Sequence, residues 1–292
     1  MVMTKLLIII FVLLLTACSE QLPKVEEMFG SDNTIDVITW NIENFPKDNQ
    51  TINYVSKIIN DMNIDIIALQ EIENQQDFNS LINRLSDDWV GYRASSENGW
   101  GQLSYLINQR NLEITEPPYI ILDQYEYYFA YRPPYVVQVK FDDEEFIIIN
   151  VHFKCCGNGT LEDDDWDEEF RRLKSNEYLK HYIDENFNNQ NVIILGDFND
   201  DIAENSSNNI FMNFINDIED YYFSDMYIAE GSSADWSFPS WPSHLDHILI
   251  TNELLHPNLE VQTLKLEHYI AGGWGAYHTY ISDHRPVGIS LP

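Results

Sequence analysis

The residues of this sequence that could carry out chemistry are carboxylates, amides and imidazoles in short segments beside apolar runs. Polar groups that directly follow apolar strands meet at the carboxyl edge of a sheet, where α/β folds place their sites. Each segment by itself could be a turn, a helix cap or a buried imidazole. Only the occurrence of all of them together therefore indicates a functional site. The segments are Thr39–Asn44 (TWNIEN), Ala68–Ile72 (ALQEI), Asn150–Phe153 (NVHF), Leu195–Asp200 (LGDFND), Leu245–Ile248 (LDHI) and Ser282–Arg285 (SDHR).

The composition of these segments favours a hard divalent cation. Asn and carboxylate oxygens are the ligands that suit Mg²⁺ or Mn²⁺. The sequence contains no CxxC pair and no Cys/His spacing typical of a zinc site. We therefore expect Mg²⁺ or Mn²⁺ as the cofactor.

The elements that must position these segments alternate between strands and helices. Apolar runs predict strands over Ile35–Asn41, Asp65–Leu69, Tyr127–Tyr131, Tyr135–Phe141, Glu145–Val151 and Val192–Leu195, with three or four more towards the C-terminus. Helices are predicted over about Thr51–Met62, from the second strand through about Leu85, over about Trp166–Phe187 and near Asn208–Ile218. No internal repeat and no Gly/Ser linker interrupts Ile35–Pro292, which predicts one folded domain.

Taken in order, the WNI, QE, GDFN, LDHI and SDHRP motifs resemble those of the endonuclease/exonuclease/phosphatase superfamily. This superfamily includes deoxyribonuclease I, apurinic endonucleases, bacterial sphingomyelinases and inositol-phosphate phosphatases. The resemblance covers essentially all of Ile35–Leu291. It implies an α/β fold, a four-layer α/β sandwich in which two packed mixed β-sheets are flanked by helices. The site is then expected at one end, between the sheets.

The resemblance also implies a metal shell. It makes Glu71 the principal metal ligand, with Asn41 and Glu43 beside it and Asp283 as a further candidate. A metal in this shell would polarise the phosphoryl oxygens and neutralise charge on the leaving group.

The remaining motif residues acquire catalytic roles by the same resemblance. Asp197 would orient or deprotonate the attacking water, and Asn199 would hold that water or the phosphate. Asp246 would hydrogen-bond His284 and keep it more readily protonated beside the phosphate. His152 would contact the phosphate or protonate the leaving oxygen. The general base stays open between these groups.

Arg132 is the candidate ligand for the substrate phosphate. It follows a predicted strand and matches a position where family members carry a phosphate-side Arg, although a surface ion pair is an equal alternative. Lys154 is a weaker candidate, since it would share a strand face with His152. Deoxyribonuclease-like members carry an Arg where this chain has Glu73, and an acid where Gln102 is the nearest equivalent. Both departures weigh against DNA cleavage.

The N-terminus predicts export. Met1–Leu15 contains one Lys and then an apolar run that is too short to span a bilayer. Leu15-Thr16-Ala17-Cys18 resembles a bacterial lipobox, which makes Cys18 the site of lipid attachment. An ordinary apolar helix or plain secretion are the alternatives. The predicted organisation is a signal peptide over 1–17, a tether over 18–33 and a catalytic domain over 34–292, anchored by lipid at the cell envelope outside the cytoplasm.

The net charge of −32 weighs against a dedicated duplex-DNA binder, because it repels polyanions at long range. Its general explanation is the solubility of an exported protein. The acidic run Glu162–Glu169 is interpreted as a solvated helix start rather than a calcium loop, since it lacks the EF-hand spacing. The adjacent Cys155 and Cys156 fit either a vicinal disulfide or two thiols.

The expected function is hydrolysis of a phosphodiester or phosphomonoester, with a phosphate-ester substrate, the membrane as the anchor surface and no protein partner. A nuclease is favoured over a sphingomyelinase-like enzyme or a phosphatase of organic phosphates. A non-catalytic envelope binding lipoprotein is the alternative of another class. The aromatic segments Trp236–Trp241 and Gly272–Tyr277 would either line a substrate mouth or, as we favour, pack internally.

Overall fold

The computed structural model describes residues 29–95 and 101–292, which build two six-stranded β-sheets packed face to face. The predicted signal peptide, Cys18 and most of the tether lie outside these residues. Within them, no helix is both long and apolar enough to cross a membrane.

The first sheet is mixed. Its strands are β1 (Ile35–Phe45), β2 (Ile66–Ile72), β3 (Trp89–Arg93), β4 (Gln102–Asn108), β11 (Glu260–Thr263) and β12 (Val287–Leu291). Their spatial order is β11-β12-β1-β2-β4-β3, and only β1 and β2 are parallel neighbours.

The second sheet is also mixed and also contains one parallel pair of strands. Its strands are β5 (Leu112–Ile120), β6 (Tyr135–Phe141), β7 (Glu144–His152), β8 (Val192–Asp197), β9 (Tyr221–Phe223) and β10 (Asp246–Thr251). Their order is β5-β6-β7-β8-β10-β9, with β7 and β8 as the parallel pair.

Helices cover both outer faces and complete the four layers. Alternate strand residues such as Val37, Ile148 and Leu195 form the core between the sheets. The intervening residues point outwards and pack against the helices. The helices are α1 (Thr51–Asp61), α2 (Gln75–Ile82) and α6 (Gly273–Tyr280) on the first sheet, and α3 (Glu168–Asn186), α4 (Met212–Ile215) and α5 (Met226–Ala229) on the second. The predicted sandwich of two packed mixed sheets is thus confirmed.

The prediction of a strand over Tyr127–Tyr131 was wrong. The segment is a turn, in which Ala130 and Tyr131 adopt left-handed backbone angles. Its aromatic residues suggested β structure, but Tyr127 instead packs its ring against the guanidinium of Arg171. β6 pairs with β7 on one side and with β5 on the other, and β5 tolerates two prolines because it lies at the sheet edge.

The helix predicted near Asn208–Ile218 is reduced to the four residues of α4. Asn209 explains the loss of its first part, because its side chain donates to the carbonyl of Ile202 and accepts from the backbone N–H of Phe211. Asn side chains compete in this way with helical backbone hydrogen bonds. The acidic run does begin a helix, since Asp167 accepts from the N–H of Phe170 and caps α3.

Candidate active site

The two sheets bring their polar residues together at one end of the sandwich. Asn41 from β1 and Glu71 from β2 face Asp197 at the end of β8. The amide of Asn41 joins the sheets, since its Nδ2 donates to Glu71 Oε1 at 3.1 Å and to Asp197 Oδ2 at 2.9 Å. Residues from three distant segments therefore form one contiguous polar cluster.

Register shifts and left-handed backbone angles orient the side chains of the site. The β1–β2 register shifts between Asn41 and Phe45, and Glu71 lies within a second shift between β2 and β4. Glu71 and Asn199 adopt left-handed φ values of 64° and 55°. Gly196 is required before Asp197, because a Cβ there would lie 1.9 Å from the carbonyl oxygen of Val151.

Asp197 is the centre of the cluster. Its Oδ2 lies 3.5 Å from His152 Nε2 and 3.9 Å from His284 Nε2, while its Oδ1 accepts from the N–H of Asn199. Burial raises the pKa of Asp197 to about 7, and neighbouring carboxylates add to this rise while His284 opposes it. The rise in the pKa of Asp197 is therefore mainly a consequence of desolvation, and the negative charges of Asp246 and Glu71 add to it.

The imidazole of His284 is fixed from the other side by Asp246, whose Oδ2 lies 2.7 Å from Nδ1. Burial opposes the charged ring, but Asp246, Asp197 and Asp283 together raise the pKa of His284 to about 10. His284 is therefore an imidazolium at neutral pH. Asp246 is the first residue of β10, whereas His152 and Asp197 are the last residues of β7 and β8. It lies at the same end of the sandwich as Asp197 because β10 runs antiparallel to β8.

The pKa of His152 is shifted in the opposite direction from that of His284. Burial lowers its pKa well below the ordinary value, and the nearby charges of Arg132 and His284 lower it further. Its Nδ1 has no hydrogen-bond partner among the described residues. The site thus pairs a neutral imidazole with a charged one around a single carboxylate.

Arg132 lies inside the site and not on the surface, so the surface ion pair is excluded. Only 8% of the residue is exposed, and its guanidinium donates to the carbonyls of His152 and Phe153. Burial lowers its pKa, while the charges of Glu71 and Asp197 act against that shift. Arg132 follows a turn and not the predicted strand. Lys154, beyond the end of β7, points towards Glu168 at 3.7 Å.

The donor set around Glu71 fits a hard divalent cation. The two oxygens of Glu71 accept from Asn41 and from the N–H of Asn44. Burial raises the pKa of Asp283 to about 6, and the carboxylate of Glu43 contributes to that rise although His284 opposes it. A cation would relieve this repulsion. Glu43 itself pairs with Lys47 and accepts from the N–H of Asp283, so it lies beside the cluster.

Several residues that support the cluster were not predicted from the sequence. The hydroxyl of Ser282 donates to the carbonyl of Asn41 at 2.6 Å and accepts from the N–H of His284. The hydroxyl of Tyr277 donates to the carbonyl of His284 and accepts from the indole of Trp40. Both positions fall within the quoted motifs or aromatic segments, but only the folded chain joins residues so far apart.

A second polar bridge lies directly beneath the site. The Nε2 of Gln70 donates to Asn150 Oδ1 at 2.8 Å, and Asn150 Nδ2 donates to the carbonyls of Leu69 and Ser104. All four residues are fully buried. The bridge fixes the first sheet, which carries Glu71, against the second sheet.

The aromatic segments pack mainly inwards, as favoured. Tyr277 is buried, and Trp236 donates its indole N–H to the carbonyl of Ile228. There are two exceptions: the ring of Phe238 lies 4.8 Å from the imidazole of His284 in the site, and 78% of the surface of Trp241 is exposed. Cys155 and Cys156 are free cysteines just beyond β7.

The fold and this cluster define a two-sheet α/β sandwich with a carboxylate- and histidine-lined site at one end. The family model for the endonuclease/exonuclease/phosphatase family matches residues 38–284. The chain therefore belongs to that family. No curated protein sequence matches it.

Solved structures share the fold. TDP2 of D. rerio complexed with a single-strand DNA product aligns with a TM-score of 0.65 at 15% identity, covering 89% of this chain and 100% of the other. The human Nocturnin catalytic domain with bound sulfate aligns at 0.61, with 16% identity and coverage of 89% and 93%. A mannosyl-6-phosphatase of Bacteroides thetaiotaomicron aligns at 0.59, with 15% identity and coverage of 88% and 99%. At these identities the similarity shows the shared fold.

Proposed function

We propose that this protein is a Mg²⁺- or Mn²⁺-dependent hydrolase of phosphate esters. The observation that carries the proposal is the hydrogen-bonded cluster of Asn41, Glu71 and Asp197, which spans the two sheets and lies beside a charged and a neutral histidine. Family membership supports phosphoester chemistry in general.

The chain's own residues account for binding and proton handling. Glu71 and Asp283, with Asn41 beside them, would hold the metal, which supplies Lewis-acid polarisation of the phosphoryl oxygens. The imidazolium of His284 and the guanidinium of Arg132 would bind the remaining phosphoryl oxygens.

Two groups then remain for the proton transfers. Asp197, with a pKa near 7, can take a proton from an attacking water, and Asn199 lies next to it in the same loop. His152, kept neutral, can relay a proton from solvent to the leaving oxygen, which must gain one as the P–O bond breaks.

The charge distribution favours a compact substrate. The buried site offers Arg132 and His284 as cations, while Lys47, Arg172 and Arg285 are paired with Glu43, Asp200 and Glu267. A long polyanion would meet few free cations around this site. We therefore place a small phosphodiester or phosphomonoester first, ahead of the nuclease that the sequence favoured.

Hydrolysis by the purified protein tests the proposal directly. The substrates would be bis-p-nitrophenyl phosphate, p-nitrophenyl phosphate, sugar phosphates, sphingomyelin, RNA and single- and double-stranded DNA, each with Mg²⁺, Mn²⁺ or EDTA. We expect metal-dependent turnover that Glu71→Gln and His284→Gln lower at least about 100-fold. Glu73→Gln is the matched control, because Glu73 is exposed two residues from Glu71. A folded protein without turnover on any substrate, and without Mn²⁺ binding, would establish the non-catalytic binding protein instead.

We also propose that the enzyme acts at the cell envelope on a lipid anchor at Cys18. The apolar run and the lipobox-like Leu15–Cys18 support this, and they predict that Cys18→Ala converts a membrane-associated protein into a soluble one. Fractionation of cells that express the two forms is the measurement. Equal distribution of both forms would contradict the anchor.

A further inference from the structure

The LDHI segment carries two polar residues that point to opposite faces of β10. Asp246 faces the site and holds His284, whereas His247 faces the outer side of the sheet. Such alternation is inherent to a strand. The function proposed above uses Asp246 and leaves His247 unexplained, although His247 is fully buried.

His247 makes two hydrogen bonds that each require a donated proton. Its Nδ1 lies 2.6 Å from Asp225 Oδ2, and its Nε2 lies 2.9 Å from the carbonyl oxygen of Asp200. A carboxylate and a carbonyl both accept, so both ring nitrogens donate and the ring is an imidazolium. Burial opposes this charge, but the Asp225 carboxylate raises the pKa of His247 above its ordinary value.

Both carboxylate oxygens of Asp225 also accept hydrogen bonds. The residue is fully buried, its Oδ1 accepts from the N–H of Ile248, and its Oδ2 also accepts from Nε2 of His244 at 3.0 Å. The other nitrogen of His244 accepts from the N–H of Ser237. The ligand atoms of Asp225, His244 and His247 lie within 4.8 Å of one another, which would suit a metal ion. Each ring nitrogen already has a protein partner, however, so a hydrogen-bonded ion pair explains the cluster better.

The partner of His247 outside this cluster lies in the catalytic loop. Asp200 ends the segment that begins with Asp197 and Asn199, and Phe198 between them packs its ring at 5.6 Å from the imidazole. Asp246 is paired with Asp197 in the β8–β10 ladder, and His247 contacts Asp200 and Phe198 from the outer face of β10. Asn199 in this loop adopts a left-handed backbone, which Asn tolerates, and the hydrogen bond from His247 holds the loop one residue further on.

We propose that His247 is a positioning residue, which, anchored by Asp225, holds the carbonyl of Asp200 and thereby fixes the loop that carries Asp197 and Asn199. The inference rests on the proposed function for its kinetic consequence, but its structural consequence is independent of it. His247 contacts no substrate-facing group and acts only through the loop.

Two substitutions, each of which retains an amide donor at one nitrogen position, separate the two hydrogen bonds of His247. His247→Asn keeps a donor at the Nδ1 position, next to Asp225, and loses the donor to Asp200. His247→Gln keeps a donor at the Nε2 position, next to Asp200, and loses the one to Asp225. The matched control is His244→Asn, which keeps an acceptor for Ser237 and removes one hydrogen bond to Asp225 without contact with the loop.

The first measurement is hydrogen–deuterium exchange of the peptide that contains residues 197–204 in the full-length protein. His247→Asn should speed exchange in this peptide at least about 10-fold, while His247→Gln and His244→Asn should leave it within about 3-fold of the original. The second is hydrolysis of bis-p-nitrophenyl phosphate. His247→Asn should lower kcat at least about 10-fold with KM within about 2-fold, and His247→Gln should restore most of kcat.

The outcomes distinguish the two proposals. If the unsubstituted protein hydrolyses nothing, the proposed function fails, and the exchange experiment still decides the role of His247. If His247→Asn and His244→Asn change exchange and kcat equally, or if His247→Gln is as impaired as His247→Asn, the contact with Asp200 has no special role and the inference is refuted. A thermal unfolding curve for each variant confirms that the comparison is made on folded protein.

Discussion

The charge on His284 is the property of this site that most directly links structure to rate, and Asp246→Asn tests it. Asn is isosteric with Asp, and its Oδ1 can still accept from Nδ1 of His284, so the substitution removes charge while it keeps the contact. The lost attraction, over 2.7 Å at an effective dielectric constant of about 20, is about 6 kcal/mol at most.

The remaining carboxylates limit the change. Asp197 and Asp283 stay 3.9 Å and 4.0 Å from Nε2 of His284 and continue to raise its pKa. We therefore expect a fall of about 3 units, from about 10 to about 7. At pH 8 the imidazolium fraction would drop from about 99% to about 10%, whereas at pH 6 it would be about 90%.

Two assays follow from this magnitude. NMR titration of the imidazole ¹⁵N shifts measures the pKa of His284 directly, and the pH dependence of kcat/KM shows whether the charged ring is needed. Compared with the unsubstituted protein at the same pH, Asp246→Asn should lose about 10-fold in kcat/KM at pH 8, and most of this difference should disappear at pH 6. The matched control is Asp201→Asn, which removes one nearby charge that does not contact His284. A pKa shift below about 1 unit would refute the electrostatic argument, and a shifted pKa with superimposable rate profiles would refute the role of the imidazolium.

Three other perturbations have calculable outcomes. Burial raises the pKa of Asp65 to about 7, so the free energy of unfolding falls as the pH rises from about 4 to about 7. Asp65→Asn should therefore stabilise the protein by about 2 to 4 kcal/mol at pH 8 and by less at pH 5. Equal urea midpoints for the two proteins at pH 8 would contradict this. Asn150→Asp places a carboxylate against two carbonyls, which should cost about 3 to 5 kcal/mol at pH 8, and acid should restore part of the melting temperature. Glu71→Gln should weaken Mn²⁺ binding at least about 10-fold by calorimetry, whereas unchanged affinity, matching Glu73→Gln, would remove Glu71 from the metal shell.

The strands nearest the site could be predicted well because each is a short apolar run with a polar end. The predicted runs at Tyr135–Phe141, Glu145–Val151 and Val192–Leu195 correspond to β6, β7 and β8, the last two with extended ends. The long helix α3 followed from its periodicity and its acidic start. Local pattern was sufficient in these cases because local burial and local backbone geometry agree.

Prediction failed where side-chain packing overrode local propensity. Tyr127–Tyr131 has the aromatic content of a strand, but its rings are used against Arg171 and neighbouring tyrosines, and the backbone turns. The burial of Arg132 follows from that turn, so the sequence alone left its role open. Propensity describes a residue's average environment, and only tertiary contacts decide the actual one.

The sequence by itself determined the family motifs, the alternation of strands and helices, and the residue types available to a metal and a phosphate. The tertiary structure alone decided which of them meet. Ser282 contacts Asn41 across 241 positions, and Asn41 contacts Asp197 across 156, so neither pairing has any trace in local periodicity. The same is true of charge: Asp246, Asp197 and Asp283 set the pKa of His284 only because two sheets enclose them together away from water. Coulomb interactions and desolvation depend on distance in space and on burial, and a linear sequence specifies both only once it is folded.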